Sequence, residues 1–256
     1  MDFFIVVILG VIEGITEFLP ISSTGHLILT AKILGLVQND FIKSFEIAIQ
    51  LGAILSVVVL YWRSLLIDRK VLSRVLAGFI PTAVLGLIFY KFVKNYLLNS
   101  EKIILAALFV GGVILIVFEL FHREKDQASQ EVADISYKQA FIIGVCQSLA
   151  MIPGVSRSLA TILGGLALGL RRKVIVQFSF LLAIPTMLSA TAYDLAKSAG
   201  HFTSGQFYYL SAGFMVSFIV ALMSIRFLLK FIERHNFIVF GVYRVLLALS
   251  LTVVFR

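Results

Sequence analysis

Long apolar segments alternate with short polar segments along the whole chain. Six of the apolar segments are long enough to cross a bilayer, which takes about 20 residues in a helix. These six segments are residues 41–62, 72–92, 103–121, 174–194, 207–229 and 237–255. Apolar runs of this length predict transmembrane α-helices, so we expect an all-α integral membrane protein.

Four further apolar segments are too short, or too interrupted by polar residues, to cross the bilayer. Residues 3–19 and 27–36 flank one polar loop, and residues 137–152 and 159–170 flank a second. We expect each pair to form a re-entrant hairpin, in which a helix enters partway, turns at the polar loop and returns. Such a turn is tolerated at depth only where protein buries it or water reaches it. The alternative is one or two tilted, kinked spans in each pair.

The two halves of the chain repeat this arrangement, because each half has one hairpin followed by three spans. We predict a single membrane domain, residues 1–256, with about ten helices. Repeat one covers about 1–121, a charged connector covers 122–136, and repeat two covers about 137–256. Three crossings in the first half invert the second half relative to it, and inverted repeats with broken helices are a known membrane architecture.

Composition agrees with this reading of the pattern. The chain is 60% hydrophobic and 14% charged, whereas soluble domains are about 45–50% apolar and about 25% charged. The net charge of +8 indicates cytoplasmic loops rather than a nucleic-acid partner. With both hairpins re-entrant, the 22 Lys and Arg residues divide into thirteen on one side, six on the other, and Lys32, Arg157 and Arg244 at membrane depth. The richer side is therefore expected in the cytoplasm, and the first hairpin opens outward.

The first polar loop carries two carboxylates. Glu13 and Glu17 are four residues apart, so they share one face of a helix. Neighbouring carboxylates repel unless a cation or a proton lies between them, and Mg²⁺ binds one or two carboxylates together with phosphate oxygens. We expect this pair to hold a divalent cation, Mg²⁺ or Ca²⁺. The alternative is a pair of solvated glutamates on a water-facing helix end.

A new helix start follows these acids. Pro20 ends the first helix, and Ser22, Ser23 or Thr24 can cap the next one. The free backbone N–H groups of a helix start favour an anion. His26 is the best candidate in the chain for a nucleophile or general base, and a purely structural histidine is the alternative.

The second polar loop supplies positive charge and further hydroxyl groups. Arg157 cannot lose its charge, and its planar guanidinium matches phosphate with two parallel hydrogen bonds. Ser156, Ser158 and Thr161 surround it in the sequence. The alternative is an arginine that only neutralises the carboxylates of the first loop, which also predicts that the two loops are close together. Both signs of charge, a base and several hydroxyls suit a site that handles phosphate.

Both loops resemble the signature of the bacterial undecaprenyl-diphosphate phosphatases of the bacitracin-resistance type. The run Glu-x-x-x-Glu-Phe-Leu-Pro-x-Ser-Ser-Thr-Gly-His is intact at residues 13–26, and Pro-Gly-x-Ser-Arg-Ser is intact at residues 153–158. Thr161 stands where that family has a threonine, and Leu159 stands where it more often has glycine. Length, hydrophobicity and the doubled layout match over essentially the whole chain.

The resemblance implies an enzyme, a phosphoric anhydride hydrolase. Its reaction would convert undecaprenyl diphosphate to undecaprenyl phosphate and inorganic phosphate, which recycles the lipid carrier for peptidoglycan synthesis and confers bacitracin resistance. The resemblance also implies a divalent cation, the bacterial plasma (inner) membrane, and a site that opens to the periplasmic or outer side. The implied site residues are Glu13, Glu17, Ser22, Ser23, His26, Ser156, Arg157 and Thr161.

Residue chemistry and resemblance together predict three sets of roles. The catalytic set is His26, Glu17, Ser23 and Arg157. The substrate-binding set is Ser22, Thr24, Ser156, Ser158, Thr161 and again Arg157, and the metal ligands are Glu13 and Glu17. The attacking group stays open between His26, Ser23 and water, with a slight preference for His26 as nucleophile or base.

A different function class fits the same pattern. An inverted repeat with polar loops near the midplane also suits a polyprenyl-phosphate transporter or flippase, alone or combined with phosphatase activity. The concentration of Glu, His, Ser and Arg in the loops favours the enzyme. A polyprenyl diphosphate lipid and the bilayer are the expected partners, a homodimer is a further expectation, and no nucleic acid is expected.

Overall fold

The computed structural model describes residues 2–36, 39–97, 100–124, 131–198 and 204–254. Within these ranges the chain forms helices and no strand, which confirms the predicted all-α class. The α-helices, ten in the described ranges, are α1 (Phe3–Thr16), α2 (Ser23–Ile33), α3 (Asp40–Leu66), α4 (Arg69–Phe92), α5 (Glu101–Phe121), α6 (Tyr137–Ser148), α7 (Arg157–Ala167), α8 (Arg172–Ser198), α9 (Ser204–Phe231) and α10 (Ile238–Val254).

Five of the described helices are long and apolar enough to cross a bilayer, namely α3, α4, α5, α8 and α9. Among them α8 is the central helix, because 61% of its most apolar stretch is buried, against 28–39% in the other four. Helix α10, the sixth predicted span, has 17 described residues, and Phe255, its predicted end, lies outside the described residues. At 1.5 Å per residue α10 is about 26 Å long, near the lower limit for a span.

The four helices of the predicted hairpins are short. Helices α1, α2, α6 and α7 have 14, 11, 12 and 11 residues, which corresponds to about 16–21 Å. A hydrocarbon core is about 30 Å thick, so none of these helices can cross it alone. Each pair is joined by its polar loop, as a re-entrant hairpin requires.

One sequence offset relates the elements of the two halves. Helix α2 begins at Ser23 and α7 begins at Arg157, and both contain 11 residues. Both helices are followed by a glycine with positive φ, +63° at Gly35 and +79° at Gly169, a conformation that glycine adopts without a steric cost. The differences 157 − 23 and 169 − 35 are both 134. The predicted boundaries of the two repeats stay a prediction.

Helices of one half pack against helices of the other half in a symmetric pattern. Helix α1 packs against α9, its counterpart α6 packs against α4, and α5 packs against its own counterpart α10. Glycines allow the backbones to approach, because Gly10 lies against the carbonyl oxygen of Gly213, and Gly144 lies against the carbonyl oxygen of Gly78. Two repeats related by a two-fold axis would produce this pattern of pairs.

Ion pairs and hydrogen bonds from charged side chains connect several helix ends at one end of the bundle. Arg172 pairs with Glu119 (2.5 Å) and Glu124 (3.6 Å), and Lys173 pairs with Glu233 (3.7 Å). An arginine at the start of α4 donates to a carbonyl oxygen just before α6. These contacts place the start of α8 beside the ends of α5 and α9, and the start of α4 beside the start of α6.

Lys32 lies at the opposite end of the bundle. Its ammonium group pairs with Glu101 at the start of α5 at 2.5 Å, and the two side chains are 42% and 41% exposed. This corrects the expectation that Lys32 is left at membrane depth. The reason is that the last turn of α2, although the helix is short, lies at the end of the bundle where α5 begins.

We expect the substitution Gly144→Ala to destabilise the protein by about 1–3 kcal/mol or more, because the added methyl group would overlap the carbonyl oxygen of Gly78. Gly86→Ala is the matched control, since nothing lies within 4 Å of the position its methyl group would take. Alanine is also the better helix former there, by up to about 1 kcal/mol. Unfolding free energies in detergent micelles measure both effects, and equal stability of the two variants would contradict the close α4–α6 approach.

Candidate active site

A cavity of about 270 Å³ lies between the two polar loops. Its walls come from the loops and from α3, α4, α6 and α8. The charged and hydroxyl-bearing wall residues from the loops are Glu17, Ser22, Ser23, Thr24, Ser156 and Arg157. Loops that are more than a hundred residues apart in the sequence therefore share one pocket.

A buried ion pair joins the loops at this cavity. Arg157 Nη2 lies 3.1 Å from Glu17 Oε1, and the two side chains are only 11% and 6% exposed. The other carboxylate oxygen of Glu17 accepts a hydrogen bond of 2.5 Å from Ser23 Oγ, and Arg157 Nη1 donates to the carbonyl oxygen of Ser179 at 2.7 Å. Hydroxyl, carboxylate and guanidinium thus form one chain of contacts on the cavity wall.

Two strained serines begin the helices that face the cavity. Ser22 and Ser156 have φ of +74° and +80°, and they are the only non-glycine residues with positive φ in the described ranges. Such a conformation costs on the order of 1–3 kcal/mol. Each serine side chain accepts the N–H of the third helical residue, Gly25 in α2 and Leu159 in α7, both at 3.3 Å. Both helix N-termini therefore open toward one cavity, and each favours an anion through its free N–H groups and its dipole.

Two of the predicted substrate-binding residues lie behind the cavity wall. Ser158 is fully buried and donates to the carbonyl oxygen of Leu19 at 2.8 Å. Thr161 is also fully buried, and its hydroxyl bonds to Ser179 Oγ at 2.6 Å and to the carbonyl oxygen of Arg157 at 3.0 Å. In this structure the two hydroxyls stabilise the arginine loop from inside, and their predicted contact with substrate stays a prediction.

The structure does not bring His26 onto the cavity wall. Its Nδ1 lies 2.7 Å from the carbonyl oxygen of Ser22, and its Nε2 lies 2.7 Å from the hydroxyl of Tyr243 in α10. The two rings are stacked with their centroids 5.6 Å apart. Sequence reasoning missed Tyr243, because a tyrosine in an apolar span gives no signal of a polar contact. The catalytic role predicted for His26 stays a prediction.

Glu13 is a deeply buried acid of the first loop with other acids around it. It is fully buried, and neither carboxylate oxygen has a hydrogen-bond partner among the described residues. The charges that act on it are Glu17, Glu46 and Arg157. With all of these groups ionised, three negative charges face one positive charge, a balance that fits a divalent cation.

The described residues do not form a complete protein cage for a metal. Among the described residues, no three His, Cys, Asp or Glu side chains converge at metal-binding distance. Each oxygen of Glu17 accepts one hydrogen bond and keeps a further lone pair, so Glu13 and Glu17 can both supply oxygen ligands. Mg²⁺ does not require a complete cage, because it commonly keeps several waters and binds substrate phosphate oxygens.

Arg244 joins both loops from behind. This fully buried side chain on α10 donates to the carbonyl oxygens of Pro20 (3.3 Å) in the first loop and Gly154 (2.8 Å) in the second. It also donates to Leu108 (3.3 Å) and Ala107 (3.0 Å) of α5. The one sequence signal for this role is an arginine inside an apolar span, and its partners in the structure are these backbone carbonyls.

Comparison with known proteins gives one family. Residues 6–250 match the family model described as "Bacitracin resistance protein BacA". Three similar curated proteins bear the name undecaprenyl-diphosphatase. The protein of Aquifex aeolicus is 51% identical over 243 residues, which are 95% of this chain and 94% of that protein. That of Wolinella succinogenes is 48% identical (97% and 96% covered), and that of Methanococcus aeolicus is 44% identical (100% and 99% covered).

We expect Arg244→Met to destabilise the protein by at least about 3 kcal/mol. The variant would leave the loop carbonyl oxygens of Pro20 and Gly154 without this donor, whereas those of Ala107 and Leu108 keep their helical N–H partners in α5. Each buried acceptor without a donor costs about 1–3 kcal/mol, which exceeds the gain from removing a buried charge. Arg226→Met, at an exposed position of α9, is the control and should stay within about 0.5 kcal/mol of the parent protein. Thermal unfolding in micelles measures both, and two equally stable variants would show that Arg244 does not hold the loops.

Proposed function

This chain belongs to the bacitracin resistance protein BacA family, and we propose that it hydrolyses undecaprenyl diphosphate to undecaprenyl phosphate and inorganic phosphate. The observation that carries the proposal is the buried chain of contacts from Arg157 to Glu17 to Ser23, on a cavity that two helix N-termini face. The names of the similar proteins refer to hydrolysis, so the transporter alternative gains no support. The product is the lipid carrier of peptidoglycan synthesis, which links the enzyme to cell-wall assembly and bacitracin resistance.

The cavity is suited to binding a diphosphate. Arg157 supplies a permanent positive charge, and the first N–H groups of α2 and α7 supply donors that require no reorganisation. Phosphoryl transfer depends mainly on such positioning and charge stabilisation. Because the donors belong to two loops held together by a buried ion pair, their spacing is fixed before substrate arrives.

We propose Ser23 as the attacking group. Its Oγ attacks the terminal phosphorus while its proton passes to Glu17 Oε2, the oxygen with which it already forms a hydrogen bond. The bond from that phosphorus to the bridging oxygen breaks, and undecaprenyl phosphate leaves with the electron pair. Glu17 gives the proton it took from Ser23 to the departing phosphate oxygen and is a carboxylate again. Water then attacks the phosphoserine and gives a proton to Glu17, and inorganic phosphate leaves as Glu17 returns that proton to Ser23 Oγ.

This assignment differs from the preference for His26 that the sequence suggested. Ser23 lies on the cavity wall with Arg157 and bonds to a carboxylate, whereas His26 bonds to Tyr243. In the proposed mechanism His26 is a positioning residue, since its ring contacts the carbonyl oxygen of Ser22 and so stabilises the strained first turn of α2.

We propose that Glu13, together with Glu17, holds a divalent cation, Mg²⁺ or Ca²⁺. The support is the pair of buried Glu13 oxygens without a hydrogen-bond partner among the described residues and the excess of negative charge around them. When bound, the cation would neutralise phosphate charge.

We propose that the cavity opens to the periplasmic or outer side of the bacterial plasma membrane. The protein is a multi-pass membrane protein, and the end of the bundle gathered by Arg172 and Lys173 belongs to the side with thirteen of the 22 basic residues. The positive-inside rule assigns that side to the cytoplasm. The opposite end, where Lys32 pairs with Glu101, then faces outward together with the mouth of the first hairpin.

Replacing Ser23 with alanine tests the attacking group. We expect Ser23→Ala to lower phosphate release from undecaprenyl diphosphate on the order of 10³-fold or more, because the nucleophile is lost. Ser250→Ala, which removes an exposed hydroxyl of α10, should leave the rate unchanged. A rapid acid quench of the parent enzyme with labelled diphosphate should yield an acid-stable, base-labile phosphoserine. An acid-labile, base-stable adduct that persists in Ser23→Ala would identify His26 instead.

The substitution Glu13→Gln tests the cation site without relying on activity. In chelator, the variant should be more stable than the parent, because a carboxylate beside Glu17 and Glu46 is removed. Added Mg²⁺ or Ca²⁺ should stabilise the parent by about 2.7 kcal/mol at a hundred times its dissociation constant, and should not stabilise Glu13→Gln. Glu101→Gln, at the bundle end, should keep the full response to metal. An unchanged response in Glu13→Gln would remove this residue from the metal site.

A further inference from the structure

A second concave surface continues from the polar cavity along α4 and α8. It encloses about 350 Å³. Four residues line both spaces, namely Thr82, Met151, Thr186 and Ala190. The two spaces therefore meet at one opening, which we call the neck.

The walls of this groove beyond the neck are mostly apolar and follow one face of α4. Phe79, Ala83, Gly86, Leu87 and Tyr90 recur at spacings of three and four residues, the period of a single helix face. From Phe79 to Tyr90 this face extends for about 16 Å. Small residues at 83 and 86 form the floor, so the surface is concave rather than flat.

A hydrogen-bonded network fixes the neck. The hydroxyl of Thr82 donates to the carbonyl oxygen of Gly144 (2.8 Å), and that of Thr186 donates to the carbonyl oxygen of Leu182 (2.8 Å). Because both hydrogens are used, both hydroxyl oxygens accept from the amide of Gln147, at 3.0 and 2.9 Å. This network joins α4, α6 and α8 where the polar cavity becomes apolar.

We infer that the groove binds the isoprene units next to the diphosphate, with the diphosphate in the polar cavity and the first prenyl carbon at the neck. The inference rests on the proposed function and adds a binding surface to it. A diphosphate joined to a hydrocarbon chain needs a polar and an apolar site that touch, and the shared neck supplies this junction. An undecaprenyl chain is much longer than the groove, so its remaining units stay in the lipid.

Gly86 offers a direct way to fill the groove. Gly86 lines the groove, and nothing lies within 4 Å of the position that a Cβ atom would take there, so we expect a phenylalanine side chain at this position to fill part of the groove. Gly86→Ala is the matched small change. Ile88→Phe is the matched large change, because Ile88 is two residues along α4, is 66% exposed and does not line the groove.

The experiment compares phosphate release from dimethylallyl, farnesyl and undecaprenyl diphosphate. Gly86 lies about 6 Å along the helix from Thr82 at the neck, beyond the reach of the single isoprene unit of the dimethylallyl compound. We expect Gly86→Phe to raise KM for the farnesyl and undecaprenyl substrates by about tenfold or more, a loss of about 1.4 kcal/mol of binding. KM for dimethylallyl diphosphate, and kcat for all three, should stay within about twofold. Ile88→Phe should behave like the parent, and Gly86→Ala, which adds only one methyl group to the groove, should raise KM for the two longer substrates less than Gly86→Phe does.

An equal change of KM for all three substrates, or no change for any of them, would overturn the groove assignment. A second measurement is independent of turnover. Farnesyl diphosphate with a photoreactive group at its far end should label peptides of α4 or α8 in the parent protein and in Ile88→Phe, but not in Gly86→Phe. Labelling of other helices would overturn the inference even if hydrolysis is normal. Labelling of α4 or α8 without phosphate release from any substrate would support the groove and refute the proposed function.

Discussion

The buried ion pair between Arg157 and Glu17 is the interaction on which the rest of the structure depends. An isolated charge at membrane depth costs several kcal/mol, and each of these residues lies on a different loop. Neither loop can therefore carry its charge into the bilayer unless the other loop meets it. Once they meet, the starts of α2 and α7 face one cavity, and Arg244 satisfies the carbonyl oxygens at both turns from behind. The site proposed for phosphate is a consequence of this pairing.

The two repeats supply the same scaffold but different chemistry. With the offset of 134 residues, Glu13 corresponds to Gln147, Glu17 to Met151, and Ser23 to Arg157. Ser22 and Ser156 also correspond and share the same strained conformation. Two identical loops would bring like charges together and repel each other. Because the sequences differ at three corresponding positions, carboxylate, hydroxyl and guanidinium lie side by side. The N-termini of α2 and α7, one from each repeat, supply anion-binding donors from two directions.

The position of the cavity matches the amphipathic nature of the proposed substrate. The network of Gln147, Thr82 and Thr186 marks the change from polar to apolar walls, and α4 and α8 continue the apolar side toward lipid. A prenyl diphosphate can then keep its charge in the protein interior while its chain never leaves a hydrocarbon environment. Moving the chain from lipid to the groove therefore changes its solvation free energy little. The protein has to supply mainly electrostatic complementarity to the diphosphate.

The sequence by itself determined the helical class, the hairpins and the identity of both loops. These follow from local quantities, namely the length of apolar runs and the cost of charge within them, which are read along the chain. The tertiary structure alone decided which atoms meet. It turned His26 toward Tyr243 and Ser23 toward Glu17, left Glu13 without a hydrogen-bond partner among the described residues, and gave Arg244 its carbonyl partners. The physical reason is that a side chain's orientation depends on donors and acceptors from distant segments, and no local pattern along the sequence records them.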